Sequence, residues 1–263
     1  MARPVGVITR GTTAPNRLRR VDRWLIRTHG KWLRSLTTPL VVDLGYGAHP
    51  VTSVEFFDRL RSAGIAADVL GLEIDPERVR AAEPLAKPGL TFAVGGFELP
   101  APRRPDVVRA FNVLRQYSET EVQPTWDLLA SKTAAGGLII DGTCDEIGRI
   151  ASWIAIESDG RSPTPTTLTL AARLGSLDRP ATLAERLPKA LIHRNVAGEP
   201  IHDYVRDLDA AWQLAAGVGV LSARQRWVAA CERLREKGWP IIDGGTAWRD
   251  GEITVAWSAV APT

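Results

Sequence analysis

The sequence predicts a doubly wound α/β fold, and three observations carry that expectation. Five short apolar runs, at 40–44, 69–74, 90–94, 106–111 and 137–141, alternate with stretches of helical periodicity. The first run ends at Gly45 and the second at Glu73-Ile74-Asp75-Pro76, where a strand hands over to a turn and then a helix. At 263 residues, 44% hydrophobic and 24% charged, the chain can bury one large core, and wholesale disorder is excluded.

Residues 1–16, with Pro4, Gly6, Gly11 and Pro15, read as an irregular leader. From Arg17 onward Leu18, Val21, Leu25 and Ile26 form a helical stripe with arginines on the opposite face. Leu40–Leu44 is a buried parallel strand. Thr52 and Glu55 stand in capping-box spacing before Phe56, Phe57 and Leu60, and Gly64 ends that helix. Asp75-Pro76 supplies an N-cap and a first-turn proline after the second strand. A helix over 119–132 joins the fourth and fifth strands. Beyond Asp141, 149–157 and 166–172 alternate as a hairpin, and helices follow at about 181–193, 202–216 and 222–237. Pro240–Ile242 and Ile253–Val260 form a last strand pair. That pair is favoured to complete the main sheet, which makes 145–235 a substrate-binding insertion. The organisation is thus a basic leader and helix over 1–38, serving as a lid, and one domain over 39–263.

The net charge of +3 hides an asymmetry: residues 1–35 hold nine basic side chains and the single acid Asp22, so the rest of the chain is −5. A globally basic nucleic-acid coat is excluded, whereas a local cationic arm is not. No apolar run approaches the roughly 18 residues needed to span a bilayer, and no continuous apolar core follows the N-terminal arginines. Cys144 and Cys231 are not in metal-ligand spacing. The expectation is a cytoplasmic protein with no membrane span and no metal.

The informative stretch is Val42-Asp43-Leu44-Gly45-Tyr46-Gly47-Ala48. Glycines here let backbone amides approach a ligand, and Glu73, closing the second strand, can accept both hydroxyls of a ribose. A dinucleotide turn wants a third glycine where Pro50 stands, and Asp43 would repel a pyrophosphate while attracting an ammonium.

On these residues the chain resembles the class I S-adenosylmethionine-dependent methyltransferases over roughly residues 38–142. The resemblance implies a seven-stranded Rossmann-like methyltransferase sheet and S-adenosyl-L-methionine as cofactor. Asp43, Gly45, Tyr46 and Gly47 match its first motif, and Glu73 matches the ribose-binding acid, with Ile74 beside it against the adenine. Gly96 stands where many members carry an adenine-binding aspartate, which leaves backbone contacts and Phe97 for the adenine. Asn112 and Val113 lie in the fourth motif, under the methionine part of the cofactor. Asn112-Val113-Leu114-Arg115 lacks the prolines and aromatic of base-amine methylation.

The function expected is O-methylation of a small hydroxylated metabolite, a sugar among the candidates because six of the nine tryptophans follow the fifth strand. An alcohol acceptor needs a base. His193 and His202 suit that task, as do Asp145 and Glu146 after the fifth strand, with Asp141 just before them. Arg10, Thr12, Thr13, Asn16 or Arg17 would meet the methionine carboxylate or an anionic acceptor. RNA methylation through the basic segment and a non-catalytic cofactor-binding module are the alternatives, and a homodimer is left open.

Overall fold

The computed structural model describes residues 4–8, 13–217 and 222–263. Arg10 and Thr12, two of the residues expected at a lid, lie outside these. The chain runs α1 (Arg19–Ser35), β1 (Leu40–Leu44), α2 (Val51–Ser62), β2 (Asp68–Glu73), α3 (Pro76–Ala82), β3 (Leu90–Val94), β4 (Val107–Phe111), α4 (Val122–Lys132) and β5 (Gly137–Cys144). It continues as β6 (Ile150–Ser158), β7 (Pro163–Ala172), α5 (Lys189–Ile192), α6 (Pro200–Leu214), α7 (Ala223–Glu236), α8 (Gly245–Arg249) and β8 (Glu252–Ala256). One Rossmann-like sheet takes the order β3-β2-β1-β4-β5-β6-β7-β8. The first five of those strands are parallel, and β6, β7 and β8 are antiparallel.

Strand parity sorts the core into two layers. Val42, Leu44, Val108, Ala110 and Ile139 pack toward α4, α6 and α7. Val41, Val69, Val107, Phe111 and Ile140 pack toward α1 and α2 through Val21, Trp24, Leu25, Phe56 and Leu60. Among the described residues no helix is long and apolar enough to cross a membrane.

Three expectations change. The hairpin β6–β7 sits between β5 and β8, so the sheet has eight strands and the segment expected as an insertion, 145–235, is sheet up to Ala172 and helical only beyond it. Alternation identifies a strand but not its neighbour, and a tight β5–β6 turn made the adjacent pairing available. Of the last strand pair, only the bridge Ile241–Val255 forms ahead of β8. Thr52 and Glu55 make no capping box, since α2 begins one residue earlier after Pro50. The tryptophans are packing residues: Trp153, Trp212, Trp227 and Trp248 are buried, and Trp212 meets Trp227 edge-on at 6.3 Å. The leaning toward a sugar acceptor loses its support with them.

A buried ion network ties α1 and α2 to the sheet. Arg109 stands on β4 directly beside Asp43 on β1, with both residues on the α1/α2 face. Its Nε donates to Asp43 at 2.9 Å, its Nη1 to Asp22 of α1, and its Nη2 to the Thr52 carbonyl at 3.1 Å. Ser53 donates to Asp43 at 2.6 Å, and Arg59 reaches Asp22 at 2.6 Å. Burial alone would push the Arg109 guanidinium down, but Asp43 and Asp22 more than offset it and hold the group charged.

Asp141 faces the other layer, fully buried, with the Trp126 indole N–H donating to it at 3.1 Å. Burial pushes its carboxyl up to about 7. Between the ordinary aspartate range and that value the folded chain keeps a proton the unfolded chain has lost, so stability falls as pH rises through this window. Asp141→Asn is therefore expected to leave urea stability nearly unchanged at pH 4 and to raise it at pH 8 by about 2–4 kcal/mol. A gap that does not widen between those two pH values contradicts the assignment. Asp141 is thus a buried strand residue rather than a group in an acceptor-binding loop.

Candidate cofactor site

The site is built at the carboxyl ends of the parallel strands, where β2–β1 and β1–β4 part company and the sheet order reverses direction. Gly45 (φ +70°) and Gly47 (φ +83°) turn the chain after β1 in the left-handed region that glycine tolerates. The Gly45 amide is held by the Leu72 carbonyl at 2.7 Å. Glu73, at the end of β2, accepts the Gly47 amide at 2.9 Å with one carboxylate oxygen and the Ile74 amide at 2.9 Å with the other. Arg78 of α3 lies 3.6 Å from the same carboxylate. The Asp75 amide donates to the same carboxylate at 3.4 Å, so the loop and the acid, 1% exposed, are one unit.

Tyr46 packs against β2 and β3. Its ring packs edge-on against Phe92 at 5.5 Å, its buried hydroxyl has no partner among the described residues, and its carbonyl accepts from the Thr13 hydroxyl at 3.0 Å. Asp43 also turns from the expected role. Its carboxylate is committed to Arg109 and Ser53 inside the α1/α2 layer, so it presents no free charge to an ammonium.

Ile74, Gly95, Gly96, Phe97, Val113 and Tyr117 wall the space beside Glu73, and the leader runs through it. The Phe97 amide donates to the Val5 carbonyl at 2.9 Å, and the Val5 amide donates to Glu98 at 2.8 Å. The Val7 amide donates to the Tyr117 hydroxyl at 2.6 Å, and Gln116 donates to the Val7 carbonyl at 3.1 Å. The crossing is tight, because a Cβ on Gly96 would lie 2.0 Å from the Val5 carbonyl oxygen. With this strap in place a void of about 10 Å³ remains, room for about one water molecule.

Asn112, at the end of β4, adopts φ +59°, a strained conformation for a residue other than glycine. Its side chain clamps the end of β5: Oδ1 accepts the Cys144 amide at 3.0 Å and Nδ2 donates to the Cys144 thiol at 3.3 Å. Arg17 donates to the next carbonyl, Asp145, at 2.9 Å. Asp145 is half-buried and accepts the Arg149 amide at 2.7 Å, while Glu146 is exposed and pairs with Arg186 at 3.3 Å. His193 is exposed at the end of α5, 3.3 Å from Lys189, and His202 lies in the first turn of α6. Neither is hydrogen-bonded, among the described residues, to Glu73, Asn112 or the Gly45–Gly47 loop.

No protein-family model and no curated protein matches the sequence. Solved structures do. Magnesium protoporphyrin IX methyltransferase (ChlM) from Synechocystis PCC 6803, with bound SAH, is similar at 23% identity and a TM-score of 0.37 over 48% of this chain and 54% of that one. A TehB-like SAM-dependent methyltransferase from Corynebacterium glutamicum is similar at 18% identity and 0.35, over 52% of this chain and 67% of that one. The DszA carbon methyltransferase is similar at 16% identity and 0.40, over 49% and 35%. All three are methyltransferases. The chain thus spans about half the length of the solved relatives it matches.

Two features escaped the sequence reading. Arg109 was detectable as a charged residue inside an apolar strand, on the same parity as Val107 and Phe111. The strap carried no local pattern, since Val5 and Val7 meet partners 93 and 110 residues away.

Proposed function

We propose that the chain is an S-adenosylmethionine-dependent methyltransferase acting on a small hydroxylated acceptor. One observation carries this: the Gly45–Gly47 turn, the Glu73 carboxylate and the Phe97 amide converge at the switch point of the sheet. Ile74, Phe97 and Val113 offer apolar walls for a planar base, Glu73 offers acceptors for ribose hydroxyls, and the Phe97 amide offers a donor to a ring nitrogen. These residues fit an adenosine once Val5 and Val7 move out, so residues 4–8 act as the lid. When bound, the cofactor supplies an electrophilic methyl group. Asn112 braces the ends of β4 and β5 under it, and with both amide atoms engaged that side chain is not available to grip a base amine. Asp145, half-buried beside Cys144, is the best-placed group to take the hydroxyl proton, ahead of Glu146, His193 and His202.

The test is methyl-label transfer from the cofactor into a metabolite extract split into small-molecule and RNA fractions. Label is expected in the small-molecule fraction, lost with Glu73→Ala and lowered about 100-fold with Asp145→Asn. Label in RNA favours the basic-arm alternative. Cofactor binding without transfer to either fraction favours a non-catalytic module.

A further inference from the structure

Away from the cofactor site, α1 and α7 frame a cavity of about 490 Å³ at the same edge of the sheet, over the ends of β7 and β8. Six guanidinium groups line it: Arg19, Arg20 and Arg23 from α1, Arg173 after β7, Arg224 from α7, and Arg249 from α8. Two acids share the lining, Asp250 and Glu252, and both are engaged by a seventh arginine, Arg27, which donates to Glu252 and lies 3.8 Å from Asp250. Arg20 is held by backbone carbonyls, donating to Asp250 at 2.8 Å and to Gly148 at 3.4 Å. Arg19, Arg23, Arg173, Arg224 and Arg249 make no ion pair among the described residues. Burial and the neighbouring guanidiniums push Arg19 and Arg20 below the usual arginine range.

Such a concentration of like charge in a concave site raises the energy of the free protein unless a counter-charge enters. Helix geometry adds to the pull, because the N-terminal turns of the 17-residue α1 and the 14-residue α7 both border the cavity. Guanidinium forks match the oxygens of an oxyanion two at a time, which disfavours a halide, and six of them in one cavity suit a multiply charged phosphate better than a singly charged carboxylate. The size is that of a small-molecule pocket. A polymer would need a basic track beyond it, whereas the chain outside residues 1–35 is net acidic at −5.

We propose that this arginine-lined cavity is a binding site for a phosphorylated small molecule, with the six arginines clamping its phosphate groups. The site does not depend on the methyl-transfer reading, since it can be assayed without cofactor.

The experiment titrates inorganic pyrophosphate into the full chain by calorimetry at two salt concentrations, with the exposed-side pair Arg173→Ser/Arg249→Ser as the variant and Arg23→Ser as a second. Thermal melts of the free proteins establish that each is folded. Binding is expected for the wild type, weakened about tenfold or more in the double variant and falling as salt rises. No heat at millimolar pyrophosphate, or an affinity unchanged in a folded double variant, would overturn the proposal. A short single-stranded RNA that displaces pyrophosphate at lower phosphate concentration would overturn it too, because the cavity would then be part of a polymer track.

Discussion

Replacing Arg109 with methionine should cost the fold about 3–5 kcal/mol, the range found when one partner of a buried ion pair is removed. The magnitude follows from what is left behind. Among the described residues Asp43 keeps the Ser53 hydroxyl and Asp22 keeps Arg59, while both carboxylates stay inside the layer between β1, α1 and α2. The Phe56 ring, 4.0 Å below the guanidinium, loses its cation as well. Against a total stability of about 5–15 kcal/mol the loss is a large fraction, and a melting temperature lower by about 10 °C is expected. The sign with pH is fixed. Burial already holds the Asp22 carboxyl above the ordinary aspartate range, and removing Arg109 takes away the stronger of the two guanidiniums that oppose that push, so the variant's deficit grows as pH rises through the carboxylate range. Adding Asp22→Asn and Asp43→Asn removes the stranded charges and should recover most of the loss. Chemical denaturation of the single and triple variants measures both effects. A triple variant no more stable than Arg109→Met would show that packing, rather than unpaired charge, sets the cost.

That network explains why the same motif was legible in one respect and misleading in another. Gly45, Gly47 and Glu73 could be placed from the sequence because their roles are local: a glycine turn after a buried strand and an acid at the next strand's end need only spacing. Asp43 belongs to the same motif, yet its direction is decided by parity and by a neighbour 66 residues away, and Arg109 lies in register beside it. Period-2 alternation already put Asp43 on the face of Val41 and Arg109 on that of Val107. What periodicity lacks is the strand order that sets β1 against β4. The same limit misplaced β6 and β7, whose alternation was plain while their position beside β5 was not. His193 and His202 are candidates by the chemistry of the imidazole, which residue type alone supplies, whereas their places at the end of α5 and in the first turn of α6 are set by packing.

Deleting residues 1–8 should tighten cofactor binding by about 5- to 30-fold. Four hydrogen bonds hold the strap: those of Val5 with Phe97 and Glu98, and those of Val7 with Tyr117 and Gln116. At about 1 kcal/mol net for each they give about 4 kcal/mol, and backbone entropy at about 1–2 kcal/mol for every residue ordered offsets all of that gain, so closure is at most weakly favoured. The apolar side chains add little, since Val5 is 46% exposed and Val7 57% exposed. A ligand entering the pocket must displace the strap, and its apparent dissociation constant is raised by the reciprocal of the open fraction. A closed state favoured by about 1–2 kcal/mol then gives the stated factor. Tyr117→Phe, which removes the acceptor of the Val7 amide, should move binding in the same direction by a smaller amount. Calorimetry with S-adenosylhomocysteine on the full chain, the truncated chain and Tyr117→Phe reads the order directly. If the strap instead closes over bound cofactor as part of its wall, truncation weakens binding, and the leader is a clamp rather than a competitor. Either result separates the leader's role from that of Glu73, whose loss is expected to weaken binding in the full and truncated chains alike, because its carboxylate shapes the glycine turn itself.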